Sequence, residues 1–149
     1  MGGIFLTFLV YFSYDKSIQK DKNKQIIGIS DIQKQKFRAD SAKIMNCVQY
    51  VLVSTKSGWY EGCNKKQIFL LKNEVYKYGT TCSQNPEKRY KSRFYKSTNL
   101  EMIPQFYGDK AQCEIEEKRK LYHYPALPEN IKRLENERLI LPIGNCKTH

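Results

Sequence analysis

The pattern of apolar and polar positions divides the chain into an N-terminal part, residues 1–63, and a C-terminal part, residues 64–149. In the C-terminal part, residues 68–71 and 75–78 are rich in β-branched and aromatic side chains, which favour strands. Three polar residues join the two runs, so we predict a β-hairpin. At 149 residues, the expected organisation is one domain with an appendage.

Two further elements are predicted after the hairpin. Residues 100–107 have the composition of a third strand, in which Pro104 indicates an edge position or a bulge. Asp109 is followed three residues later by Gln112, which is typical of a capping box. This pair predicts a helix over residues 110–123.

The connection between the second and third strands is rich in candidate chemistry. Gly79 ends the second strand and lets the backbone bend or approach a ligand. Asn85 and Pro86 predict a helix start, with asparagine as the cap and proline at the first position. This connection would present backbone N–H groups and cations around one concave surface, which suits the binding of phosphate. The alternative is an ordinary strand-to-helix connection that binds no ligand. Three cations fall at i, i+4 and i+7 on one predicted helix face: Arg89, Arg93 and Lys96.

The N-terminal part begins with an apolar run from Ile4 to Phe12. As a helix this run is about 14 Å long, against a hydrocarbon core of about 30 Å, so it does not span a bilayer alone. It also lacks the flanking residues of a secretory signal. Three interpretations stay open: a helix packed on the domain, the end of a membrane span, or a segment that contacts a membrane or a protein partner.

The rest of residues 1–63 is expected to be a helical extension and a linker. Residues 15–24 are polar, which indicates a solvated linker or the end of a helix. Ser30 or Asp31 can cap a following helix with a rough apolar side. Residues 47–53 have the composition of a strand, and residues 54–62 interrupt the strand pattern.

The charge of the chain favours a polyanionic partner. Lys and Arg number 26 against 15 Asp and Glu, a net charge of +11, which suits nucleic acid or an anionic membrane. The five cysteines are widely spaced and include no C-x-x-C pair, so neither a zinc site nor a compact disulfide framework is indicated. We expect them to be mostly reduced and structurally minor.

The order of these elements resembles that of the GIY-YIG nuclease family. Residues 76–81 read Tyr-Lys-Tyr-Gly-Thr-Thr and residues 85–89 read Asn-Pro-Glu-Lys-Arg. This is similar to the branch with a Lys-Ile-Gly-x-Thr second half-motif and a Pro-Glu-x-Arg helix start. The resemblance covers about residues 64–149. It implies an α+β fold with a small three-stranded antiparallel sheet flanked by helices. It also implies an enzyme that cuts DNA with one divalent metal ion.

The resemblance also implies the residues of a site. Arg89 matches the family's catalytic arginine, which helps to stabilise the phosphate in the transition state. Glu117 is our choice for the glutamate that binds Mg²⁺ or Mn²⁺, with Glu114 and Glu116 as alternatives. Gly79 matches the glycine of the second half-motif and has a structural role.

Tyr76 or Tyr78 would supply the phenol near the attacking water. The first half-motif departs from the family, because Gln67-Ile68-Phe69 occupies the place of Gly-Ile-Tyr and a hydroxyl is missing there. Tyr76, Tyr78 or Lys77 can in principle replace that group. Further nucleic-acid contacts are expected from Lys88, Arg93, Lys96 and the late asparagine Asn145, which supports the site, with Asn130 as the second choice.

We therefore predict a metal-dependent endonuclease that cleaves DNA phosphodiester bonds without a small-molecule cofactor. A non-catalytic basic module that binds nucleic acid on the same scaffold is the alternative. A basic domain tethered to a membrane or a partner is a third hypothesis. The cytoplasm is the expected compartment, and a secreted nuclease toxin is the alternative.

Overall fold

The computed structural model describes Tyr14, residues 16–63 and residues 65–147. The apolar run at residues 4–12 lies outside these described residues, so its interpretations stay predictions.

The chain divides into two compact units, Met1–Ala42 and Lys43–His149. The division falls earlier than the predicted boundary between residues 63 and 64. The reason is the strand Cys47–Ser54, which is the central strand of the sheet in the second unit and therefore belongs to that unit.

The first unit contains a small hairpin where a solvated linker was predicted. β1 (Ile18–Lys20) pairs with β2 (Ile26–Ile29) in antiparallel fashion. Asp21 stabilises the turn, because its Oδ1 accepts hydrogen bonds from the backbone N–H groups of Asn23 and Gln25 at 2.9 and 2.8 Å. Local turn chemistry of this kind outweighs the polar composition of the segment.

Helix α1 (Asp31–Met45) follows the hairpin, as predicted. The Ser30 hydroxyl accepts a hydrogen bond from the backbone N–H of Gln33 at 3.4 Å, which is an N-cap contact. None of the residues of α1 is buried, so the apolar side expected from the sequence remains on the surface.

The described residues of the second unit contain the strands β3 (Cys47–Ser54), β4 (Gly58–Glu61), β5 (Gln67–Leu70), β6 (Val75–Thr81) and β7 (Leu100–Gly108). β3 lies between β6 and β7 and is antiparallel to both. The prediction of a three-stranded antiparallel sheet flanked by helices is confirmed. All of the β3 positions are buried, as expected for a central strand.

The predicted hairpin of residues 68–71 and 75–78 is wrong. β5 pairs with β4 in a separate two-stranded sheet, and β6 pairs with β3. The chain turns sharply after β5, where Asn73 has a φ of 70° and its backbone N–H donates to the carbonyl oxygen of Ser54 at 2.8 Å. This turn directs β6 alongside β3. As a pairing partner, β3 offers 8 residues, whereas β5 offers 4.

The two faces of the sheet carry separate clusters of buried side chains, because successive residues of a strand point to opposite faces. One cluster consists of Tyr50, Leu52, Tyr60, Leu70, Leu100 and Ile143. The other consists of Val51, Val53, Val75, Tyr78, Leu121 and Tyr124. β3 supplies alternate residues to both clusters and so connects the two halves of the core.

Helical elements flank the sheet: a 3₁₀ turn at Pro86–Arg89, α2 (Ser92–Thr98), α3 (Lys110–His123), a 3₁₀ turn at Tyr124–Ala126, α4 (Pro128–Ile131) and a 3₁₀ turn at Glu135–Glu137. The predicted capping box of α3 is confirmed. Asp109 Oδ1 accepts from the Gln112 N–H at 2.8 Å, and Gln112 Oε1 accepts from the Asp109 N–H at 3.0 Å. Among the described residues, no helix is long and apolar enough to cross a membrane.

The prediction for Pro104 is also confirmed. β7 is an edge strand, and its pairing register with β3 shifts between Gln49 and Tyr50, next to the proline. A bulge at an edge tolerates a residue that has no N–H to donate.

Candidate active site

A cleft of about 490 Å³ opens beside the end of β6. Its lining comes from β3, β6, the Pro86–Arg89 turn, α3 and the C-terminal segment. The charged residues that line it are Lys77, Arg89, Lys110, Glu114, Glu117 and Lys118, and Tyr50 and Asn145 line it with them. Cations outnumber carboxylates here, and a positive cleft suits a phosphodiester.

Tyr50 reaches the cleft because the residue opposite it is a glycine. Tyr50 of β3 and Gly79 of β6 are directly paired. A Cβ atom on Gly79 would lie 2.5 Å from Tyr50 Oη and 2.6 Å from Tyr50 Cζ, closer than packed atoms approach. Gly79 therefore leaves room for the phenol. β6 continues through Gly79 to Thr81, so the strand does not end at the glycine as expected, and the approach of its backbone to a ligand stays a prediction.

The Tyr50 hydroxyl lies near a second phenol and a guanidinium group. Its oxygen is 2.9 Å from Tyr90 Oη, and the two rings meet edge to face. Burial, with the Tyr90 hydroxyl, raises the pKa of Tyr50 far above its ordinary value, while the Arg89 guanidinium acts in the opposite direction. Burial is the larger effect, so Tyr50 is a neutral hydrogen-bonding group at pH 7.

Arg89 is positioned by a short turn and not by the long helix predicted from the sequence. The 3₁₀ turn ends at Arg89, and Tyr90 is extended, with φ −115° and ψ 142°, before α2 begins. Asn85 makes no side-chain cap bond at the start of the turn. The helix face predicted to contain Arg89, Arg93 and Lys96 therefore does not form.

Aromatic packing explains this break in the helix. The Tyr90 ring stacks on Phe94, with centroids 4.5 Å apart, and both rings pack against the cluster that contains Tyr50. The extended backbone at Tyr90 turns its ring inward and leaves Arg89 exposed at the cleft.

Two of the three candidate glutamates on α3 line the cleft. Glu117 is half-buried there, and Glu114 lies one turn earlier on the same side of the helix. Glu114 Oε1 is 3.7 Å from Lys110 Nζ. Glu116 does not line the cleft and instead pairs with Arg119 at 2.6 Å, and the hydrogen bond from Arg119 lowers the pKa of Glu116. Among the three glutamates, Glu117 therefore stays the first candidate for a metal ligand and Glu114 the second, because both line the cleft.

A preformed cage of three or more His, Cys, Asp or Glu side chains is absent from the described residues. Mg²⁺ commonly binds one or two protein carboxylates and completes its shell with waters and substrate phosphate oxygens. Glu117 forms no ion pair with another described residue, so its carboxylate is available to a cation. The donor set of the cleft fits a hard divalent ion of this kind.

Tyr76 and Tyr78, the phenols predicted near the attacking water, do not line the cleft. Tyr76 Oη donates a hydrogen bond to the carbonyl oxygen of Glu61 at 3.0 Å. Tyr78 packs with Leu121 in the core, and burial raises the pKa of Tyr78 to about 12. Lys77, the residue between them, is half-buried and does line the cleft.

The segment compared with the first half-motif, Gln67-Ile68-Phe69, belongs to β5 in the separate sheet. Phe69 contacts Trp59 there, with ring centroids 5.7 Å apart. Tyr50 is the phenol that sequence reasoning missed, because β3 was assigned to the N-terminal extension. The apolar run at residues 50–53 is the signal that could have identified β3 as a central strand, since such runs are typical of strands buried on both faces.

Asn145 lies at the cleft, but its amide binds the protein backbone. Oδ1 accepts from the Tyr78 N–H at 2.9 Å, and Nδ2 donates to the Tyr78 carbonyl oxygen at 3.0 Å. Asn145 thereby holds β6 in position, and its predicted contact with nucleic acid stays a prediction. Asn130 bonds to both backbone groups of Leu139 and does not line the cleft.

The other cations predicted to contact nucleic acid are Lys88, Arg93 and Lys96. All three are exposed, and none lines the cleft. A contact of these side chains with nucleic acid outside the cleft stays a prediction.

Four cysteines that were predicted to be reduced form disulfide bonds, Cys47 with Cys82 and Cys63 with Cys146. Cys82 follows β6 and lines the cleft, so the first bond joins the end of β6 to the start of β3. The second bond joins the segment after Asn145 to the β4–β5 hairpin. Strand pairing brings these cysteines together, and their spacing in the sequence gave no sign of it.

Comparison of the chain with protein-family models, with curated proteins and with solved structures gives no match.

Proposed function

We propose that this protein is a metal-dependent endonuclease that cleaves DNA phosphodiester bonds. The observation that carries the proposal is that Arg89, Tyr50 and Glu117 line one cleft. They come from a turn, a strand and a helix that are far apart in the chain. A binding surface needs only cations, whereas a cation, a hydroxyl and a carboxylate together serve phosphodiester hydrolysis.

Arg89 would hold the phosphate that is attacked. Its guanidinium offers parallel N–H donors to two phosphate oxygens. These contacts strengthen as negative charge develops on the phosphate in the transition state. Lys77, Lys110 and Lys118 would contact neighbouring phosphates and fix the position of the strand.

Glu117 would hold one divalent cation, Mg²⁺ or Mn²⁺, with Glu114 as a second oxygen donor. When bound, the cation supplies Lewis acidity at the phosphate. Leu121, one turn further along α3, packs in the same cluster as Tyr78 of β6. This packing holds the carboxylates at a fixed position relative to Gly79.

Tyr50 would orient the attacking water. A neutral phenol both donates and accepts a hydrogen bond, and the raised pKa of Tyr50 keeps it from acting as a phenolate base at neutral pH. The water oxygen would form a bond to phosphorus as one P–O ester bond breaks. The proton of the water would pass to solvent, and the leaving alkoxide would take up a proton from solvent.

The resemblance to the GIY-YIG nucleases supports the proposal from the sequence. Of the residues it assigns, Gly79, Arg89, Glu117 and Asn145 line the cleft, whereas Tyr76 and Tyr78 do not. In the proposal, Tyr50 takes the place of the first half-motif tyrosine that was sought at Phe69. The two disulfides favour secretion over the cytoplasm as the place of action, because such bonds persist in oxidising compartments.

Plasmid cleavage tests the proposal. Purified, disulfide-bonded protein is incubated with supercoiled plasmid and Mg²⁺ or Mn²⁺, with EDTA as the metal-free comparison. We expect metal-dependent nicking that falls by about 100-fold or more in Arg89→Ala and in Glu117→Gln, since each removes a group that acts on the transition state.

Arg119→Ala and Glu116→Gln are matched controls, because each replaces the same residue type outside the cleft, and both should cut like the wild type. Equal residual cutting by the wild type, Arg89→Ala and Glu117→Gln would falsify the proposal. Salt-sensitive DNA binding without metal-dependent cutting would instead indicate the non-catalytic binding module.

A further inference from the structure

The β4–β5 hairpin carries an exposed pair of aromatic rings that the cleft does not use. Trp59 and Phe69 lie directly opposite each other, edge to face. Trp59 is 70% exposed and Phe69 is 43% exposed. The core contacts of the hairpin are made by the alternate residues Tyr60 and Leu70, so packing of the fold does not explain the exposed pair.

Lysine residues flank this aromatic pair at both ends of the hairpin. Lys56 and Lys72 flank the open end, Lys65 and Lys66 flank the turn, and all are exposed. Over residues 56–72, Glu61 is the one acidic residue. Two rings between two groups of cations match a polyanion that also carries flat apolar groups.

Several contacts hold the hairpin in place. The Lys72 N–H donates to Ser57 Oγ at 2.9 Å, and Arg133 Nη1 donates to the Phe69 carbonyl oxygen at 3.1 Å. The Cys63–Cys146 disulfide joins the turn to the C-terminal segment. A fixed surface loses less conformational entropy on binding than a flexible loop does.

The hairpin and the cleft adjoin the same strand. Tyr76 of β6 lines a concavity together with Lys56 and Trp59, and its hydroxyl donates to the carbonyl oxygen of Glu61 on β4. The next residue, Lys77, lines the cleft. A strand of nucleic acid in the cleft therefore has the hairpin as its neighbour across β6.

We propose that the Trp59–Phe69 pair is a stacking platform for unpaired bases of the nucleic acid, whose phosphates contact the lysines at the two ends of the hairpin. Stacking on an aromatic side chain combined with a cationic groove is the usual way in which proteins bind single strands. Bases inside a duplex stack on one another and offer no free face. The proposal rests on the proposed function and adds that the substrate contains a single-stranded segment.

The distribution of charge favours nucleic acid over a lipid surface. The exposed apolar surface of the paired strands is mainly one ring pair, which is small for membrane insertion. The lysines lie along an extended hairpin, as the phosphates of an extended strand do.

Trp59 is the one tryptophan of the chain, so its fluorescence reports directly on the platform. The full-length, disulfide-bonded protein is titrated in EDTA with a thymidine oligonucleotide, a duplex of equal length, heparin, and vesicles of phosphatidylserine and phosphatidylcholine. We expect saturable quenching by the single strand and little by the duplex or heparin. By anisotropy of a labelled single strand, Trp59→Ala should bind about 5- to 100-fold more weakly, and Trp59→Phe should retain most of the affinity.

Tyr107→Ala is the matched control, because Tyr107 is an aromatic residue on β7 that is 68% exposed. It should bind like the wild type. Equal quenching by duplex or heparin, unchanged affinity in Trp59→Ala, or a blue shift with vesicles alone would each overturn the platform. Quenching by a protein that does not cut plasmid would support the platform and contradict the nuclease function. Plasmid cutting without quenching would support the nuclease function and contradict the platform.

Discussion

Tyr50 Oη and Tyr90 Oη lie 2.9 Å apart, and this contact joins the central strand of the sheet to the segment that follows Arg89. Tyr50 lines the cleft with a side chain that is 1% exposed, and the partly buried Tyr90 packs against the cluster that contains it. Under the proposed function, the Tyr50 hydroxyl is the one that acts in the cleft and the Tyr90 hydroxyl holds it in position. Substitutions at the two residues separate these roles.

Tyr50→Phe should lower the cleavage rate about 10- to 100-fold, because it removes the hydroxyl from the cleft. Tyr90→Phe removes the same hydrogen bond but keeps the Tyr50 hydroxyl, so most of the activity should remain. Both variants should lose about 1 kcal/mol of unfolding free energy, because each leaves a hydroxyl without its partner. Single-turnover cleavage and urea unfolding measure the two effects. Equal losses of cleavage would contradict a role of Tyr50 in the cleft.

Gly79→Ala should destabilise the protein by about 1–3 kcal/mol, since the added methyl group overlaps the Tyr50 ring. Cleavage should fall with it, because the phenol has to move. Gly58→Ala is the matched control, as a Cβ there meets no atom within 4 Å. Thermal unfolding compares the two variants. If Gly79→Ala is as stable as Gly58→Ala, the phenol does not lie across the strand.

Reduction of the disulfides should destabilise the protein and abolish cleavage. The bonds close loops with sequence separations of 35 and 83 residues, for which the chain-entropy account gives about 4 kcal/mol each. Cys47→Ser with Cys82→Ser should affect cleavage more than Cys63→Ser with Cys146→Ser, because Cys82 lines the cleft.

The measurements for this prediction are thermal unfolding and plasmid nicking with and without dithiothreitol. Cys113→Ala, which removes the unpaired thiol and leaves both bonds, is the control for effects of free thiols. Activity and stability that do not respond to dithiothreitol would show that neither bond braces the site.

Stability should fall as pH rises above 10. The folded-state pKa of Tyr78 is raised to about 12 from an ordinary value of 10.0, so the unfolded chain loses this proton first. The contribution is present below pH 10 and is lost as the pH rises from 10 to about 12, up to about 3 kcal/mol. Tyr50 and Tyr124 shift in the same direction by burial.

Urea unfolding at a series of pH values from 8 to about 11.5 measures this slope. Tyr78→Phe should flatten it, and Tyr122→Phe, at a 71% exposed position, should not. Parallel slopes in the wild type and Tyr78→Phe would mean that Tyr78 is not the source.

Features that depend on residues close together in the sequence could be predicted. The capping box of Asp109 and Gln112 and the bulge at Pro104 both form where expected. Gly79, Arg89 and Glu117 were singled out from the sequence through the family resemblance, and their roles stay predictions. The structure adds that these three residues line one cleft.

Strand pairing could not be predicted in the same way, because it depends on residues that are distant in the chain. The nearest two apolar runs were paired, but the turn at Asn73 sends β6 to β3. Tyr50 was missed for this reason, since nothing near it in the sequence indicates that it faces Gly79. The Cys47–Cys82 bond was missed for the same reason.

The strand order β6-β3-β7 has a consequence for the chain during synthesis. Of these three strands, β3 is synthesised first. This apolar strand therefore has no pairing partner until the ribosome has added β6 and β7. The cleft needs residues from Tyr50 to Asn145 and cannot assemble on a shorter nascent chain. A nascent chain that has not reached Asn145 therefore carries the cations of the cleft without the side chain that binds the backbone of Tyr78 in β6.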